Sequence, residues 1–151
     1  MDESINSHLI YGVEWDSVLQ WLLDSNATIG AETSGTRTIT DNDVQSDSRS
    51  WGNYRNATGG ASTNSYNLQP GGTNEYWKVN NIYDLAGNVS EWTQEKYSTG
   101  ACRAPRGGNY YSDGDNYPAA SRGVIDESDT YDFRRVQGRL LCVALYSGSE
   151  N

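Results

Sequence analysis

The sequence predicts an α+β protein, a single domain over residues 1–151 with one clear helix, several short strands and long loops. Three observations support this class: one amphipathic helical pattern, short runs typical of strands, and 16 glycines suited to turns. Leu, Ile, Val and Phe make up only about 16% of the chain, below the roughly 20% at which disorder is suspected. The aromatic content of 11% argues against disorder, because large rings bury much surface per residue. We therefore expect a folded domain whose core depends on Trp and Tyr.

The first element is a helix predicted over residues 14–25, with Asn26 as its stop. Its apolar residues recur with the spacing of one helix face, and they are Trp15, Val18, Leu19, Leu22 and Leu23. From 27 to 73 the chain is rich in Ser, Thr, Asn, Gly and Asp, which is unusual for an interior loop. This stretch is either partly mobile or held in place by its aromatic residues, which are Trp51, Tyr54 and Tyr66.

Beyond Pro70 the sequence predicts short ordered pieces separated by turns. The longest is a strand over 88–94, in which Glu91 and Thr93 face one side and Trp92 faces the other. We expect Trp92 to join Trp15 and Trp77 in the core. The other predicted pieces are 76–79, 82–85, 106–111, 119–123 and 140–146.

The charge balance narrows the classes of partner. The chain has 11 Lys and Arg residues against 20 Asp and Glu, a net charge of -9 and a pI near 4.4. Phosphate backbones need clustered cations, so we expect no nucleic-acid partner. No apolar run approaches the roughly 20 residues that span a bilayer, and the first residues lack a signal-peptide pattern. We expect no membrane insertion, and the localisation stays open.

Four segments in order resemble one known family. Residues 81–92, N-I-Y-D-L-A-G-N-V-S-E-W, are similar to the N-x-Y-D-M-x-G-N-V-W-E-W signature of the formylglycine-generating (sulfatase-modifying factor) domain. Residues 106–110, R-G-G-N-Y, resemble its R-G-G-S-[WY] segment, and residues 9–16 and 120–122 resemble its helix entry and next arginine-bearing strand. The resemblance implies a C-type-lectin-like fold with short twisted strands, few helices and long ordered loops. It covers the family's C-terminal portion, so we expect this chain to lack the N-terminal part.

The resemblance also implies an enzyme, which the residues here do not support. Formylglycine-generating enzymes use dioxygen and copper held by two cysteine thiolates, a soft donor pair that suits Cu(I). The family's cysteine positions fall on Ser112 and Tyr117, so we expect no copper and no oxidase activity. The oxidase remains the alternative if the fold brings Cys102 and Cys142 together. We expect free, partly buried thiols at these positions ahead of a single disulfide bridge. Related sulfoxide synthases need three histidines, and His8 stands alone and is expected at the surface.

A calcium site is the second implication of the resemblance. In the family the G-N-V-x-E-W turn binds Ca²⁺, a hard ion that prefers oxygen ligands. By position the ligands are the side chains of Asp84 and Glu91 and the backbone carbonyls of Gly87 and Val89. The alternative is that Asp84 caps the turn while Glu91 pairs with an arginine such as Arg122.

The last third of the chain is predicted to bind a ligand. Tyr supplies contact area at low entropic cost and Ser, Gly and Asn supply hydrogen bonds, although the same residues also fill ordinary turns. Gly107, Gly108, Trp92 and Arg122 are expected to be scaffold. We treat the paired acids 113 with 115 and 126 with 129 as solvated rather than catalytic. The predicted contact residues are Asn109, Tyr110, Tyr111, Ser112, Asp113, Asp115, Asn116, Tyr117, Asp126 and Tyr131.

A second resemblance concerns the variable proteins of diversity-generating retroelements, which share the C-type-lectin-like fold. In them adenine-directed mutation near the R-G-G segment yields Asn, Tyr, Ser, Asp and Gly, the residues found over 109–135. The resemblance implies a non-catalytic protein whose partner is an unknown protein or glycan, and display on a cell surface or virion is one of the localisations that stay open. A structural domain of a phage tail or surface protein is the remaining alternative.

Overall fold

The computed structural model describes residues 6–30, 35–63, 67–97, 103–123, 136–138 and 140–143. Within these ranges the chain forms two helices and nine short strands, which confirms the α+β class. The helices are α1 (Gly12–Asp24) and α2 (Asp41–Gln45). The strands are β1 (Asn6–Leu9), β2 (Thr28–Ile29), β3 (Arg37–Thr38), β4 (Lys78–Val79), β5 (Ile82–Tyr83), β6 (Ser90–Lys96), β7 (Arg103–Arg106), β8 (Val136–Gly138) and β9 (Leu140–Val143). Neither helix has the length and apolarity needed to cross a membrane.

Helix α1 begins at Gly12, two residues before the predicted start. The Glu14 carboxylate accepts the backbone N–H of the residue before the helix at 2.8 Å, so Glu14 belongs to the first turn rather than the cap. At the other end Asn26 has a φ of 52°, and the Ala27 N–H donates to the Leu22 carbonyl at 3.0 Å. This is the Schellman arrangement, in which Asn can replace Gly. The predicted stop at Asn26 is confirmed.

The strands form three small sheets. One pairs β1 with β9, the second has the order β3-β2-β4-β5, and the third has the order β7-β6-β8. All of these pairs are antiparallel except β6 with β8, which is parallel. The first strand of the described chain therefore pairs with the last, and the sheets are too narrow to make the core without help from loops.

Buried aromatic side chains occupy the centre of the domain. Trp15, Trp51 and Trp77 are between 0% and 1% exposed, and Tyr54 is 2% exposed. The described parts of residues 27–73 are held against this core by their own side chains. For them, the interpretation of a stretch held in place by its aromatic residues applies. Tyr66 lies outside the described residues. The buried hydrophobic side chains from this stretch are Ala27, Ile29, Ile39, Val44, Trp51, Tyr54 and Ala61.

Trp92 does not belong to this core, and the prediction that it does is wrong. The alternation along β6 buries Glu91 and Thr93 and leaves Trp92 half-buried on the opposite face. There it lines a cavity of about 390 Å³ together with Leu9 and Arg103. The predicted alternation of side chains along this strand is confirmed, but the face that meets the core is the one that carries Glu91 and Thr93.

Two other predicted strands differ from the structure. The strand predicted over 106–111 ends at Arg106, because Gly107 and Gly108 have φ values of 85° and 66° and turn the chain. The segment predicted as a strand over 119–123 is a turn that makes a single bridge between Arg122 and Arg106. The predicted piece 76–79 is a 3₁₀ turn followed by β4. Of the predicted strand 140–146, the described residues form β9.

Candidate ligand-binding site

The turn after β7 starts the predicted binding segment, and it requires glycine. A Cβ on Gly108 would lie 2.5 Å from the Tyr117 carbonyl oxygen and 2.8 Å from Cε1 of Tyr54. The Tyr54 hydroxyl donates to the Gly107 carbonyl at 2.8 Å, and burial raises the pKa of this phenol. The hydroxyl therefore remains a neutral donor that fixes the turn. Gly107 and Gly108 are buried scaffold residues, as predicted from the sequence.

Residues 109–117 follow this turn and are called the tyrosine segment below. Its first residue, Asn109, uses its own side chain to shape the segment: Oδ1 accepts the Tyr111 N–H at 2.9 Å and the Ser112 hydroxyl at 3.1 Å. The Asn109 Nδ2 donates to the Ser90 hydroxyl at 3.3 Å. Asn109 and Ser112 are half-buried, so both act mainly within the loop.

A second stretch, residues 47–58, packs along the tyrosine segment and is called the frame segment. The Ser48 N–H donates to the Gly114 carbonyl at 2.9 Å. The Gly114 N–H donates to Oδ1 of Asn56, also at 2.9 Å. Both backbone polar groups of the buried Gly114 are thus satisfied by the frame segment, which removes the cost of burying them.

Asp113 is held by an arginine of the frame segment. The Arg55 guanidinium donates to both carboxylate oxygens, with Nε at 3.0 Å from Oδ1. These hydrogen bonds lower the pKa of Asp113 below its ordinary 3.8. The Arg55 N–H also donates to the Ser112 carbonyl at 2.9 Å. Asp113 is therefore tied in an ion pair rather than solvated, which corrects the expectation for this acid.

Asp115 is held in a similar way but remains more open. Its Oδ1 accepts from the Asn56 side chain at 3.1 Å, and its Oδ2 lies 3.8 Å from an Arg49 nitrogen. Arg49 also donates to Asp47 at 2.8 and 2.6 Å, and this pairing lowers the pKa of Asp47. The expectation of a solvated Asp115 is therefore only half right. Sequence reasoning did not find Arg49, Arg55 or Asn56 as partners of Asp113 and Asp115, because they lie more than 50 residues before these two acids.

The outward side of the tyrosine segment carries exposed aromatic rings. Tyr111 is 52% exposed and Tyr117 is 48% exposed, and Asn116 beside them is also exposed. Tyr110 is half-buried and meets the Tyr111 ring edge-on, with centroids 6.4 Å apart. The structure thus brings together eight of the ten predicted contact residues and divides them into inward and outward sets. Asp126 and Tyr131 lie outside the described residues.

Three of the four residues predicted to bind calcium line one cavity, and the fourth, Gly87, lies in the turn between them. Asp84, Val89 and Glu91 line a cavity of about 310 Å³, in which Gln69 and Pro70 also take part. Glu91 is only 6% exposed, so its carboxylate is turned inward. In the described part of the chain no three His, Cys, Asp or Glu side chains come together as a metal cluster. A site here would therefore depend on two carboxylates and backbone oxygens.

The backbone between these two carboxylates is locally constrained. Gly87 has a φ of 70°, and a Cβ there would lie 2.5 Å from the Asn53 carbonyl oxygen. Asp84 also has a positive φ, of 58°. Arg122, the alternative partner for Glu91, instead donates to Asp16 and, at 2.8 Å, to Glu95.

The two residues at the family's predicted cysteine positions differ in solvent exposure. Ser112 is half-buried and its hydroxyl donates to Asn109, while the Tyr117 ring reaches solvent. Cys102 lies outside the described residues, and Cys142 lies in β9 as predicted. The partly exposed His8 has Nδ1 2.9 Å from the carbonyl oxygen of the next residue and Nε2 3.6 Å from Glu14.

Comparisons with known proteins identify the fold and the family. A search of curated protein sequences found no match. Among solved structures, Treponema denticola variable protein 1 is similar, with a TM-score of 0.54 and 19% sequence identity. The match covers 94% of this chain and 50% of that one, so this chain spans half the length of that structure. The likeness confirms the α+β, C-type-lectin-like fold.

The family follows from the sequence match. The model of the "Sulfatase-modifying factor enzyme 1-like domain" matches residues 20–137, which is most of the chain and includes the G-N-V-S-E-W and R-G-G segments. The chain therefore belongs to the sulfatase-modifying factor enzyme 1-like domain family.

Proposed function

We propose that this protein is a non-catalytic ligand-binding protein whose contact surface is the outward side of the tyrosine segment. The observation that carries the proposal is the exposure of Tyr111 and Tyr117 on a backbone that the frame segment holds from behind. A tyrosine ring has few rotatable bonds, and a fixed backbone adds little further entropy cost on binding. Contact of this kind needs no reactive group.

The retroelement resemblance supports the same function. The structural relative carries the name "variable protein", and the tyrosine segment contains seven of the nine positions we propose to be variable. We expect a near-identical template repeat beside the gene, with adenines at the codons for these positions. An ordinary locus without such a repeat would argue against variation. The proposed variable positions are Asn109, Tyr111, Ser112, Asp113, Asp115, Asn116, Tyr117, Asp126 and Tyr131.

We propose that this domain is displayed on a bacterial cell or a phage particle. Its partner is proposed to be a surface protein or a glycan. The net charge of -9 disfavours nucleic acid, because phosphate backbones repel an acidic surface. Exposed tyrosines beside Asn and Asp suit both protein and carbohydrate surfaces, since they combine an apolar ring with hydrogen-bonding groups.

A display screen tests the proposal. The intact chain is screened against panels of bacterial surface proteins and glycans, and each hit is measured again with Tyr117→Ala and with Trp21→Ala. Trp21 is 50% exposed on α1 and serves as the matched aromatic control. We expect Tyr117→Ala to weaken binding by roughly thirtyfold, as removal of a central aromatic contact does, and Trp21→Ala to leave it unchanged. Hits insensitive to both Tyr111→Ala and Tyr117→Ala would contradict the proposed surface.

The family membership favours one second candidate, the copper-dependent oxidase. Thiolates are the donors that hold Cu(I), and by the resemblance the family's two cysteine positions fall on Ser112 and Tyr117 in this chain. We propose that this chain neither binds Cu(I) in this way nor oxidises a cysteine peptide. Oxygen consumption with such a peptide and copper, abolished in Cys102→Ser or Cys142→Ser, would establish the oxidase instead.

We further propose a calcium ion in the cavity between Asp84 and Glu91. The donor set fits this ion, because two carboxylates around one cavity with nearby backbone oxygens are hard ligands. Asp84, Glu91 and the carbonyls of Gly87 and Val89 would hold it. When bound, the ion would offset the negative charge of the two carboxylates and stabilise the folded chain.

Calorimetric titration with CaCl₂ tests this site. The intact protein is expected to release or absorb heat on binding and to melt at a higher temperature, while Glu91→Ala does neither. Asp24→Asn changes an exposed carboxylate on α1 and should bind calcium as the unmodified protein does. No heat and no change in Tm for the unmodified protein would exclude calcium.

A further inference from the structure

We infer that Asn56 is a positioning residue that fixes the backbone of the tyrosine segment independently of its outward side chains. The inference rests on the proposed function, because it states how one backbone can present different contact residues. Asn56 lies in the frame segment, 58 residues before Gly114 in the sequence, and was not a candidate from the sequence.

The contacts that hold the tyrosine segment use mainly its backbone. The carbonyls of Ser112 and Gly114 accept N–H donors from Arg55 and Ser48. The Tyr110 N–H donates to the Asn88 carbonyl at 3.0 Å. None of these bonds involves a side chain of the tyrosine segment. They can persist when those side chains are replaced, whereas the ion pair of Asp113 with Arg55 cannot.

Asn56 adds a side-chain contact to this set, because both the oxygen and the nitrogen of its amide form hydrogen bonds with the tyrosine segment. Its Oδ1 accepts the buried Gly114 N–H at 2.9 Å, and its Nδ2 donates to Asp115 at 3.1 Å. Loss of the first bond leaves the buried Gly114 N–H without this acceptor, and an unpaired buried N–H is costly. The second bond is to a half-exposed carboxylate and is lost without such a cost.

Gly114 is a position at which the packing of the frame segment leaves no room for a side chain. A Cβ there would lie 2.8 Å from Cδ2 of the buried Tyr54 ring and 3.0 Å from the Arg49 backbone nitrogen. Neither neighbour can move easily, because one is packed in the core and the other is backbone. The geometry therefore assigns two roles within a few residues: Gly114 and Asn56 stay fixed, while Tyr111, Asn116 and Tyr117 can change.

Amide hydrogen exchange measured by NMR tests the role of Asn56. We expect Asn56→Ala to speed exchange of the Gly114 amide by about tenfold, the effect of losing one hydrogen bond to a buried donor. Asn116→Ala removes an exposed amide from the same segment and should leave that exchange rate unchanged. Equal Gly114 exchange in Asn56→Ala and the unmodified protein would overturn the inference.

A reciprocal exchange of side chains separates this role from general damage to the fold. Asn56→Asp keeps an acceptor for Gly114 but sets a second carboxylate against Asp115. Combining it with Asp115→Asn restores a donor facing an acceptor, so we expect the pair to recover slow exchange of the Gly114 amide at pH 7. If Asn56→Ala does not fold, this pair still decides the matter, because failure to recover would contradict the geometry.

A library of variants links the inference to binding. Positions 111, 115, 116 and 117 are randomised in the unmodified chain and in Asn56→Ala, and protease-resistant members are counted on a display system. We expect at least about tenfold fewer resistant members in the Asn56→Ala library, and equal numbers would overturn the inference. The same libraries are panned against the panels of bacterial surface proteins and glycans used in the display screen. A resistant library without any binder would contradict the proposed function and leave the role of Asn56 intact.

Discussion

Among the described residues, two buried tryptophans and two exposed tyrosines contrast in how they are held in the structure. Trp15 and Trp77 are 1% and 0% exposed, and each indole N–H donates at 3.0 Å to a loop carbonyl, of Ala119 and Ala61 respectively. Tyr111 and Tyr117 are about half-exposed and lie on a segment fixed by backbone bonds. The tryptophans therefore tie distant loops to the core, whereas the tyrosines can be exchanged without disturbing it. The following predictions test that division.

Removing a core ring should have the largest effect. Trp15→Ala leaves a cavity and an unpaired carbonyl at Ala119, so we expect the free energy of unfolding to fall by about 4 kcal/mol. Trp21→Ala on the exposed face of the same helix should change it by less than about 0.5 kcal/mol. Urea unfolding followed by circular dichroism measures both. Similar losses from the two substitutions would show that burial does not distinguish these rings.

The turn between the two regions should be the next most sensitive position. Gly108→Ala forces a Cβ against Tyr54 and the Tyr117 carbonyl at a φ of 66°, and we expect a loss of about 3 kcal/mol. Gly59→Ala is the matched control, since its φ is 58° and no atom lies within 4 Å of its Cβ position. It should cost about 1 kcal/mol. Thermal denaturation of the two variants measures both losses of stability. Equal losses would show that the turn at Gly108 does not exclude a side chain.

Ion pairs offer an intermediate test that depends on pH. Burial alone would raise the pKa of Asp43, but hydrogen bonds from Arg37 and Thr40 outweigh it, so the pKa lies below 3.8. A lowered pKa stabilises the fold fully above the ordinary value, and this stability is lost as the pH falls through the lowered pKa. We expect Asp43→Asn to cost about 2 kcal/mol at pH 7 and to weaken the loss of stability below pH 3.8. Asp113→Asn, whose partner lies at the surface, should have a smaller effect on both.

Unfolding in urea at pH 7 and at steps below pH 4 measures the two carboxylates. An Asp43→Asn variant that loses stability in acid as steeply as the unmodified protein would contradict the assignment of the lowered pKa to this pair.

Replacing an outward tyrosine should have the smallest effect on folding. Tyr117→Ala removes a ring that is 48% exposed and leaves the backbone bonds in place, so we expect a change within about 0.5 kcal/mol. Differential scanning calorimetry measures it. A loss close to that of Trp15→Ala would mean that the tyrosine segment is part of the core and not a separate surface.

The sequence predicted the elements whose pattern is local. The apolar spacing of α1 and the left-handed stop at Asn26 depend on neighbours in the chain, and both were found within two residues. The strand prediction for 106–111 is wrong beyond Arg106, because the sequence pattern does not reveal that Gly107 and Gly108 turn the chain at positive φ, with a backbone carbonyl within 3 Å of each Cβ position. Trp92 was misplaced because alternation shows that two faces exist but not which of them meets the core.

By itself the sequence determined the fold class and the family signature, and it indicated the region that we propose as the contact surface. Those features depend on residue type and short spacing, which a sequence displays directly. Only the tertiary structure decided which predicted contact residues point inward. Asp113 and Asp115 are held by Arg55, Arg49 and Asn56 through contacts that span more than 50 residues. Such pairings arise when packing brings distant loops together, and no local pattern encodes them.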